Sequence, residues 1–459
     1  MSRYSILILL SSLCCGVSVA QSSADSLMIK KISDEVFMNG QAYNNLRYLC
    51  KKVGPRLSGS PSAALAVEQT ARMLREAGAD TVYLQPCMVP QWVRGEKETG
   101  KAVLTNGKSV TLNIVSLGNA VGTPASGITG SILEVKSFQE LEALGADKVK
   151  GKIVFYNYRM DPRHINTFRA YGEAGVYRSQ GPSRAAALGA VGVIVRTLSP
   201  VLDDNPHTGA TRYDEDKPKI PAVAISTNGA VELSGLISAG KVKSVYIKTN
   251  CKMLEDVLSY NVVGELRGSE HPDEVITVGG HLDSWDLAEG AHDDGTGCVQ
   301  SIEIIRSFKA LGIRPKRSVR AVMFMNEENG LRGGTKYAEI ARTESKKFIM
   351  ALESDAGGFT PRGFGFSASA SQKSKILGWQ PLFRQYGALE FNEGGGGGAD
   401  IGPLRPLGTA LIGLNPDSQR YMDLHHAKTD VFEAVSEREL NLGTVVMAAM
   451  VYLVSEYGL

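Results

Sequence analysis

The chain has 459 residues, with 50 Lys or Arg and 48 Asp or Glu, so its net charge is +2. That balance argues against nucleic acid or an acidic membrane surface as the main partner. The length allows two or three domains, and a composition of 43% hydrophobic and 21% charged residues is that of a globular protein, not of a disordered chain.

The N-terminus has the pattern of a secretory signal peptide. Arg3 precedes the apolar run ILILLSSLCCG, which is too short to span a membrane comfortably. Ser18 and Ala20 then supply the small residues that cleavage requires. We therefore predict a signal peptide over residues 1–20 and export to the periplasm or the extracellular medium, with no transmembrane segment in the mature chain.

Two cysteines, Cys14 and Cys15, lie in this leader, where a lipid anchor is the weaker alternative because neither follows a small residue. The cysteines left after cleavage are far apart and form no CxxC pair, so neither a zinc ribbon nor a dense disulfide scaffold is expected. We expect buried thiols, with one disulfide as the alternative in an oxidising compartment. These cysteines are Cys50, Cys87, Cys251 and Cys298.

The predicted elements begin with a helix that Ser60 can cap and whose first turn suits Pro61. Gly78 can end this helix, and the segment DTVYLQP after it is typical of a strand. We assign residues 25–118 to the first part of the main domain.

Residues 119–253 show a different pattern, in which Gly and Pro punctuate short β segments and SRAAALGA is the one predicted helix. This pattern predicts a smaller, β-rich domain inserted into the main one. Its histidines, His164 and His207, stand apart from other candidate ligands, so we interpret them as surface or hydrogen-bonded side chains.

Strands and helices alternate from about residue 258, with strands predicted at EVITVGG, VRAVMFM, KFIMALES and TALIGLN. Helices are predicted at TGCVQSIEIIRSFKALG and in the final segment, where Ser436 and Glu439 have the spacing of a capping box. Such alternation predicts an α/β fold with a mixed, mostly parallel sheet flanked by helices on both faces. Residues 254–459 would complete the main domain.

Two adjacent acids, Glu327 and Glu328, follow the second of these strands. Burying two like charges costs several kcal/mol unless a positive charge compensates them. Ligands of open α/β sheets bind beyond the carboxyl ends of the strands, and other candidate metal ligands also follow strands here. They are His281, Asp283, Asp293, Asp294, Asp355, His425 and His426.

A mixture of histidines and carboxylates suits zinc or a similar first-row metal. One ion needs only three protein ligands, so the surplus predicts two ions about 3.5–4 Å apart that share a bridging carboxylate. Asp293 is the natural bridge, because its glycine-rich loop lets the backbone approach closely. Each residue alone has an ordinary explanation as a core histidine or a turn acid, but their shared position at strand ends favours the metal site.

Five motifs, GGHLDSWD, GAHDDGTG, NEENGLRG, ESDAGG and HHAKTD, occur in the order found in the co-catalytic di-zinc exopeptidases. The chain resembles that family over nearly its whole mature length, and within it the plasma glutamate carboxypeptidase (carboxypeptidase Q) branch. The resemblance implies the phosphorylase/hydrolase-like fold of zinc exopeptidases, two co-catalytic Zn2+ ions, and a protease-associated domain at residues 119–253.

The resemblance also implies a role for each ligand. Asp293 would bridge the two ions. His281 and Asp355 would complete one zinc site, and Glu328 and His426 would complete the other.

Further residues follow from the same resemblance. Glu327 would be the general base, which takes a proton from water and passes it to the leaving amine. Asp283 would orient His281, because a metal-bound histidine needs a partner for its second ring nitrogen. Tyr421 and His425 would bind substrate or support the ligands.

Two features depart from the family pattern. His292 lies beside the bridging residue, where a residue such as Met is expected, and we interpret it as pointing elsewhere. The glycine run 394–398 is unusually long. This run can be interpreted as a flexible wall of the pocket or as a plain turn-rich loop, and Asp400 could help to order it.

These observations favour a secreted exopeptidase that acts on dipeptides or short peptides. Two alternatives stay open, a catalytically inactive peptide-binding homologue and a glutaminyl cyclase, which uses a related fold with one zinc. The sequence does not decide between the aminopeptidase and carboxypeptidase directions. It also leaves open a homodimer whose second subunit contributes to the pocket.

Overall fold

The computed structural model describes residues 23–395 and 397–459, so the predicted signal peptide lies outside the described residues. The helices are α1 (23–39), α2 (Ala42–Tyr48), α3 (Pro61–Glu76), α4 (Phe138–Val149), α5 (Thr167–Ser179), α6 (Gly181–Ala187), α7 (Thr227–Ser238), α8 (Thr296–Ala310), α9 (Arg332–Thr343), α10 (Ala370–Trp379), α11 (Tyr421–Leu424) and α12 (Glu437–Tyr457). Shorter helical turns lie at Leu49–Val53, Ala291–Gly295, Gln380–Tyr386, Gly402–Leu407 and Phe432–Ala434.

The strands up to residue 248 are β1 (Thr81–Val89), β2 (Trp92–Val93), β3 (Thr99–Leu104), β4 (Ser109–Leu112), β5 (Ile114–Ser116), β6 (Ile128–Gly130), β7 (Ile132–Val135), β8 (Ile153–Tyr156), β9 (Gly192–Arg196), β10 (Ala222–Ile225) and β11 (Val242–Lys248). Those that follow are β12 (Lys252–Met253), β13 (Val257–Leu266), β14 (His271–His281), β15 (Arg317–Phe324), β16 (Lys347–Glu353), β17 (Pro361–Ser367), β18 (Glu390–Glu393) and β19 (Ala410–Pro416).

The main domain is built on an eight-stranded sheet in the order β1-β13-β15-β14-β16-β19-β17-β18. Its central strands β15, β14, β16 and β19 run parallel to one another. At the two ends, β13 is antiparallel to β15 and β17 is antiparallel to β19. The prediction of a mixed, mostly parallel sheet is therefore confirmed.

Helices cover both faces of this sheet, as predicted, because alternate residues of each central strand point to opposite sides. On one face, Ile276 and Val278 pack in a core shared with α1, α3, α8 and α12. On the other face, Val275 and Val322 pack with α9 and the turn at Gly402–Leu407.

The carboxyl ends of the parallel strands meet at one edge of the sheet. His281 of β14 lies opposite Phe324 of β15. Glu353 of β16 lies between Gly279 of β14 and Gly413 of β19. The segments that leave these strands therefore converge at the edge where the sequence predicts metal ligands.

The final helix, α12, has the length and mean hydropathy of a membrane-spanning helix. Its most apolar window is 78% buried inside the protein, against α8 and the sheet, so it is a core helix. Ser436 caps it by accepting the N–H of Glu439. The carboxylate of Glu439 instead accepts the N–H of Thr360, so the predicted capping box is only half formed.

The strands from β3 to β11 form a second, smaller unit with two sheets. One is mostly parallel, in the order β5-β10-β9-β8-β7, and the other is antiparallel, in the order β4-β3-β11-β6. Because β3 pairs with β11, β5 pairs with β10, and β4 pairs with β3, strand pairing favours a first boundary near residue 99. The division into domains stays a prediction.

This insert contains more helix than the sequence predicts, since α4, α5 and α7 accompany the one expected helix, α6. The expectation of a single helix was wrong. In α5 the reason is clear: Gly172 and Gly175 lie in its interior, where each glycine costs about 1 kcal/mol relative to Ala. The helix forms because its apolar side chains, such as Ala170 and Ala174, are buried against the main domain.

The cysteines outside the leader are confirmed as buried thiols, and none of them forms a disulfide in the described part of the chain. They are Cys50, Cys87, Cys251 and Cys298.

The helix α3 begins as predicted, and its cap can be tested. The Ser60 side chain accepts the N–H of Ala63, and Pro61 is the first helical residue. We expect Ser60→Ala to lower the free energy of unfolding by about 1 kcal/mol, because that N–H loses its partner. Urea unfolding followed by circular dichroism measures the change.

The matched control is Ser62→Ala in the same helical turn, which removes a hydroxyl that is not the cap and should change the stability less. Equal shifts of the urea midpoint in the two variants would contradict this account of the cap.

Candidate metal centre

The acid pair Glu327 and Glu328 lies on a turn directly after β15. The backbone reverses at Asn326, whose φ is 74°. The carboxylate of Asp283 accepts three consecutive N–H groups of this turn, from Asn326 at 2.6 Å, Glu327 at 3.0 Å and Glu328 at 3.4 Å. One buried carboxylate therefore fixes the direction in which both acids leave the strand.

Asp283 also contacts His281, but through a different atom from the one the sequence suggests. The Nδ1 of His281 lies 2.9 Å from the backbone carbonyl oxygen of Asp283, not from its carboxylate. A carbonyl can only accept, so Nδ1 carries the ring proton and Nε2 is left with its lone pair. This tautomer is the one that a metal ligand requires.

Two groups of candidate ligands share Asp293. The Nε2 of His281 lies 3.1 Å from Oδ1 of Asp293 and 3.2 Å from Oδ1 of Asp355. The Nε2 of His426 lies 3.3 Å from Oδ2 of Asp293 and 3.1 Å from Oε2 of Glu328. The two oxygens of Asp293 therefore face two different histidines, which is the arrangement of a bridging carboxylate.

The donor set fits divalent metal ions. The Nε2 of His281 faces the carboxylates of Asp293 and Asp355, and this contact needs a positive charge, either a proton on Nε2 or a metal cation between the three groups. Asp293 Oδ2 is buried and forms no hydrogen bond with the described residues, although Nε2 of His426 lies 3.3 Å away. Histidine nitrogens and carboxylate oxygens in this number suit zinc-like ions.

The pKa shifts of the clustered side chains are also consistent with a site for metal cations. Burial, and then the charge of Asp293, raises the pKa of Glu328 to about 7. Burial lowers the pKa of His281, but the carboxylates of Asp355 and Asp293 outweigh it and raise that pKa well above its ordinary value. Without a metal the cluster must therefore hold protons that a metal would displace.

A residue that the sequence reading missed, Asp430, holds the loop of the shared carboxylate. Its Oδ1 accepts the N–H of His292 at 2.7 Å, and its Oδ2 accepts the N–H of Asp293 at 3.2 Å. Asp294 supports the other side, because it accepts the N–H groups of His281 and Gly297. The sequence could have pointed to Asp430, because it is the last residue of the HHAKTD motif.

His292 points away from the metal ligands. Its ring stacks on Phe359 at 4.3 Å, and its Nδ1 accepts the N–H of Gly358 at 3.1 Å. Its Nε2 lies 3.2 Å from the carbonyl oxygen of Ala434, so both ring nitrogens have partners. Burial lowers the pKa of His292 to about 4, which keeps the ring neutral.

The two predicted substrate residues, Tyr421 and His425, line a cavity of about 760 Å3 at the metal ligands. His425 stacks on His426 with ring centroids 3.6 Å apart, and its Nε2 lies 3.7 Å from Asp293 Oδ2. His425 is thus close enough to belong to the ligand group as well as to the wall.

The insert forms the opposite wall of this cavity, which the sequence did not indicate. Phe168 and Tyr171 of α5 line it, and Phe168 stacks on Tyr421 with ring centroids 5.3 Å apart. The N–H of Thr208 donates to the carbonyl oxygen of His426 at 3.0 Å. The insert therefore contacts a candidate metal ligand directly.

The isolated histidines of the insert differ from each other. His164 bonds Glu173 at 3.0 Å on the surface side, as expected. His207 is buried near His425 and His426, so a surface position for it was wrong. Burial lowers the pKa of His207 to about 3, and the neutral ring packs behind the metal ligands.

The structure explains why a glycine lies at position 398, at the end of the glycine run. A Cβ at Gly398 would lie 2.0 Å from Oε1 of Glu353, so only glycine fits there. Gly395, Gly397 and Gly398 line a second cavity of about 580 Å3, which reaches Asp355. These three glycines therefore form part of a pocket wall, and Asp400 beside them donates its N–H to Glu353.

The stabilisation of the Glu327–Glu328 turn by the carboxylate of Asp283 can be tested by substitution. Asp283→Ala leaves buried N–H groups without acceptors, so we expect it to lower the free energy of unfolding by about 2–4 kcal/mol and to reduce metal content. Asp283→Asn keeps one acceptor oxygen and should cost less. Thermal unfolding and elemental analysis of the purified variants measure both effects, and equal losses in Asn and Ala variants would contradict this role.

The sequence matches known proteins over most of its length. The model of Peptidase family M28 matches residues 261–451. Carboxypeptidase Q of Bos taurus is 34% identical over 416 residues, which covers 91% of this chain and 85% of that protein. Carboxypeptidase Q of Homo sapiens is 32% identical over 462 aligned positions, which covers 97% and 95% of the two chains.

Solved structures agree with these matches. A Peptidase M28 precursor from Shewanella amazonensis has a TM-score of 0.90 at 29% identity and covers 95% of this chain and 97% of that one. A zinc aminopeptidase from Bacillus subtilis has a TM-score of 0.64 at 20% identity, with 89% and 94% covered, and shows a likeness of fold alone. Identity of 34% over 91% of the chain, together with the family model, shows that this protein belongs to peptidase family M28.

Proposed function

We propose that this M28 peptidase is an exported di-zinc exopeptidase that hydrolyses dipeptides or short peptides. The observation that carries the proposal is the position of Asp293, whose two oxygens face His281 and His426 at 3.1 and 3.3 Å. The names of the similar proteins, carboxypeptidase Q and zinc aminopeptidase, support zinc as the metal and the end of a peptide as the point of attack.

The proposed ligands divide as the resemblance implies. Asp293 would bridge two ions, His281 and Asp355 would hold one of them, and Glu328 and His426 would hold the other. When bound, the ions supply charge that polarises the scissile carbonyl and lowers the pKa of water towards about 7.

Glu327 is the proposed general base. It keeps part of its surface open to the cavity, whereas Glu328 is buried among the ligands. Burial, and then the charge of Asp355, outweighs the opposing charge of His281 and raises the pKa of Glu327 well above its ordinary value. A carboxylate with a raised pKa takes a proton from water readily and returns it to the leaving amine.

The proposal also assigns roles to the insert and to the signal-peptide segment. Residues 119–253, with β3–β5, would be a protease-associated domain that closes the cavity with Phe168 and Tyr171 and so excludes water. Export is supported by the signal-peptide pattern of residues 1–20, and the burial of α12 supports a chain that does not span the membrane through this helix.

Substitutions of Glu327 and Glu328 should have different effects on turnover and on zinc content. We expect Glu327→Gln to keep about two Zn2+ per chain and to lower kcat for alanyl-alanine by about 100- to 10,000-fold, because it removes proton transfer and keeps the ligands. Glu328→Gln should lower zinc content, because it removes a ligand charge. Zinc is measured by elemental analysis and turnover by release of alanine.

Glu339→Gln is the matched control, because Glu339 is an exposed acid of α9 paired with Lys336. Full activity in Glu327→Gln, or hydrolysis that a chelator does not affect, would contradict the proposal. One zinc per chain with cyclisation of N-terminal glutamine would favour a glutaminyl cyclase instead.

The stabilisation by zinc should depend on pH. The pKa of Glu328 is raised from 4.5 to about 7, so its contribution to the stability of the metal-free fold is present below pH 4.5 and is lost as pH rises through 7. Zinc replaces that proton, so we expect the increase in Tm on adding Zn2+ to grow between about pH 5 and pH 8. An increase that stays constant across this range, measured by calorimetry, would contradict proton displacement.

A further inference from the structure

The backbone of His426, a proposed metal ligand, lies in the left-handed region. Its φ is 62°, and it directly follows His425, the C-cap residue of α11. Glycine is the usual residue at the position after a helix C-cap, because a side chain is disfavoured in this conformation. A non-glycine residue there costs on the order of 1–3 kcal/mol, and it persists only where surrounding contacts fix it.

One contact of this kind comes from the insert. The N–H of Thr208 donates to the carbonyl oxygen of His426 at 3.0 Å, and no other hydrogen bond to that oxygen occurs within residues 23–395 and 397–459. Thr208 is buried, so bulk water does not compete for this bond. The hydrogen bond from Thr208 therefore fixes the orientation of the peptide group that follows the His426 side chain.

The segment that carries Thr208, residues 207–211 (HTGAT), is itself fixed. The hydroxyl of Thr208 donates to the carbonyl oxygen of Ser116 at 2.9 Å. Gly118 donates its N–H to the carbonyl oxygen of Gly209 at 3.0 Å and accepts the N–H of Thr211 at 2.8 Å. Three hydrogen bonds to the end of β5 and the residues after it thus hold the HTGAT segment, and a satisfied network of this kind is rigid.

Gly209 lets the same segment contact the ring of His426. A Cβ at Gly209 would lie 2.7 Å from Nδ1 of His426, closer than such atoms pack, and the φ of Gly209 is 125°. Only glycine therefore brings the backbone of the insert this near to the ring. The HTGAT segment contacts both the carbonyl group and the imidazole ring of one proposed ligand.

The two proposed histidine ligands are held from different parts of the chain. His281, the proposed ligand of one ion, is held by Asp283 and Asp294, which follow β14 in the main domain. His426, the proposed ligand of the other ion, is held by the HTGAT segment of the insert. Partners that orient a ligand commonly change metal affinity by about 10- to 100-fold, so the insert should affect one ion and not the other.

We infer that Thr208 and Gly209 are positioning residues for His426, and that the insert thereby sets the affinity of one of the two metal ions. The insert is then part of the metal centre as well as a wall of the cavity. Displacement of the HTGAT segment weakens binding of the ion at His426 and leaves the ion at His281 bound. This inference rests on the proposed function, because it takes the two-ion site as given.

The first test removes the donating N–H with Thr208→Pro. Thr208→Val is the matched control, because it loses the hydroxyl and keeps that N–H. We expect the wild type to bind about two Zn2+ per chain, and Thr208→Pro to bind one of them about 10- to 100-fold more weakly. Thr208→Val should keep most of the affinity for both ions. Elemental analysis after equilibrium dialysis over a range of buffered free Zn2+ concentrations measures each affinity.

Gly209→Ala is a second variant, which adds a methyl group against the His426 ring and keeps every N–H. It should weaken the same ion, whereas Gly175→Ala should weaken neither, because a Cβ at Gly175 in α5 meets no atom within 4 Å. Circular dichroism of the metal-free variants shows whether each is folded. The absorption spectrum of bound Co2+ should change for one equivalent of metal and not for the other, a selectivity that a general loss of stability does not produce.

Selective weakening of one ion in folded Thr208→Pro and Gly209→Ala would support the inference, and Gly209→Ala decides alone if Thr208→Pro does not fold. Unchanged binding of both ions in the folded variants, or equal weakening of the two ions, would overturn it. A wild-type protein that binds fewer than two Zn2+ at saturation would instead overturn the proposed two-ion site.

Discussion

The carboxylate of Asp293 is buried between two imidazole rings, and much of the surrounding structure keeps it there. Asp430 holds its backbone, Asp294 holds the start of the loop that precedes it, and the strand register brings His281 to the same edge. More acids than bases are collected at this point, out of contact with bulk water. A buried excess of negative charge is stable only with bound protons or cations, and the histidine and carboxylate donors at this point suit a metal cation.

The sequence predicts which candidate ligands lie close together because parallel strands end at a common edge, and this geometry brings separate motifs into one cluster. It predicts less about the atoms that support them. Asp283 acts through its backbone carbonyl on His281 and through its carboxylate on the next turn. That division depends on the left-handed conformation of Asn326, which no residue pattern reveals.

The part of the site that could not be predicted from the sequence is the cavity wall that the insert forms. The helix α5 contains interior glycines, and its contacts with the main domain join residues far apart in the chain, such as Thr167 and Ser418. Contacts of this kind depend on tertiary packing, not on local preference. The candidate ligands follow strands of the eight-stranded sheet, whereas one wall of the cavity comes from α5, so the packing of α5 against the main part of the chain helps to set the shape of the pocket.

The burial of α12 has a consequence for how the chain matures. This helix follows the other described elements in sequence, yet it covers a face of the central sheet that α8 shares. During synthesis that apolar face has no cover until α12 leaves the ribosome, so we expect the core of the main domain to be completed late. Late closure of this kind keeps a chain loosely folded for longer, which is the state in which an unfolded polypeptide can be threaded through a membrane channel.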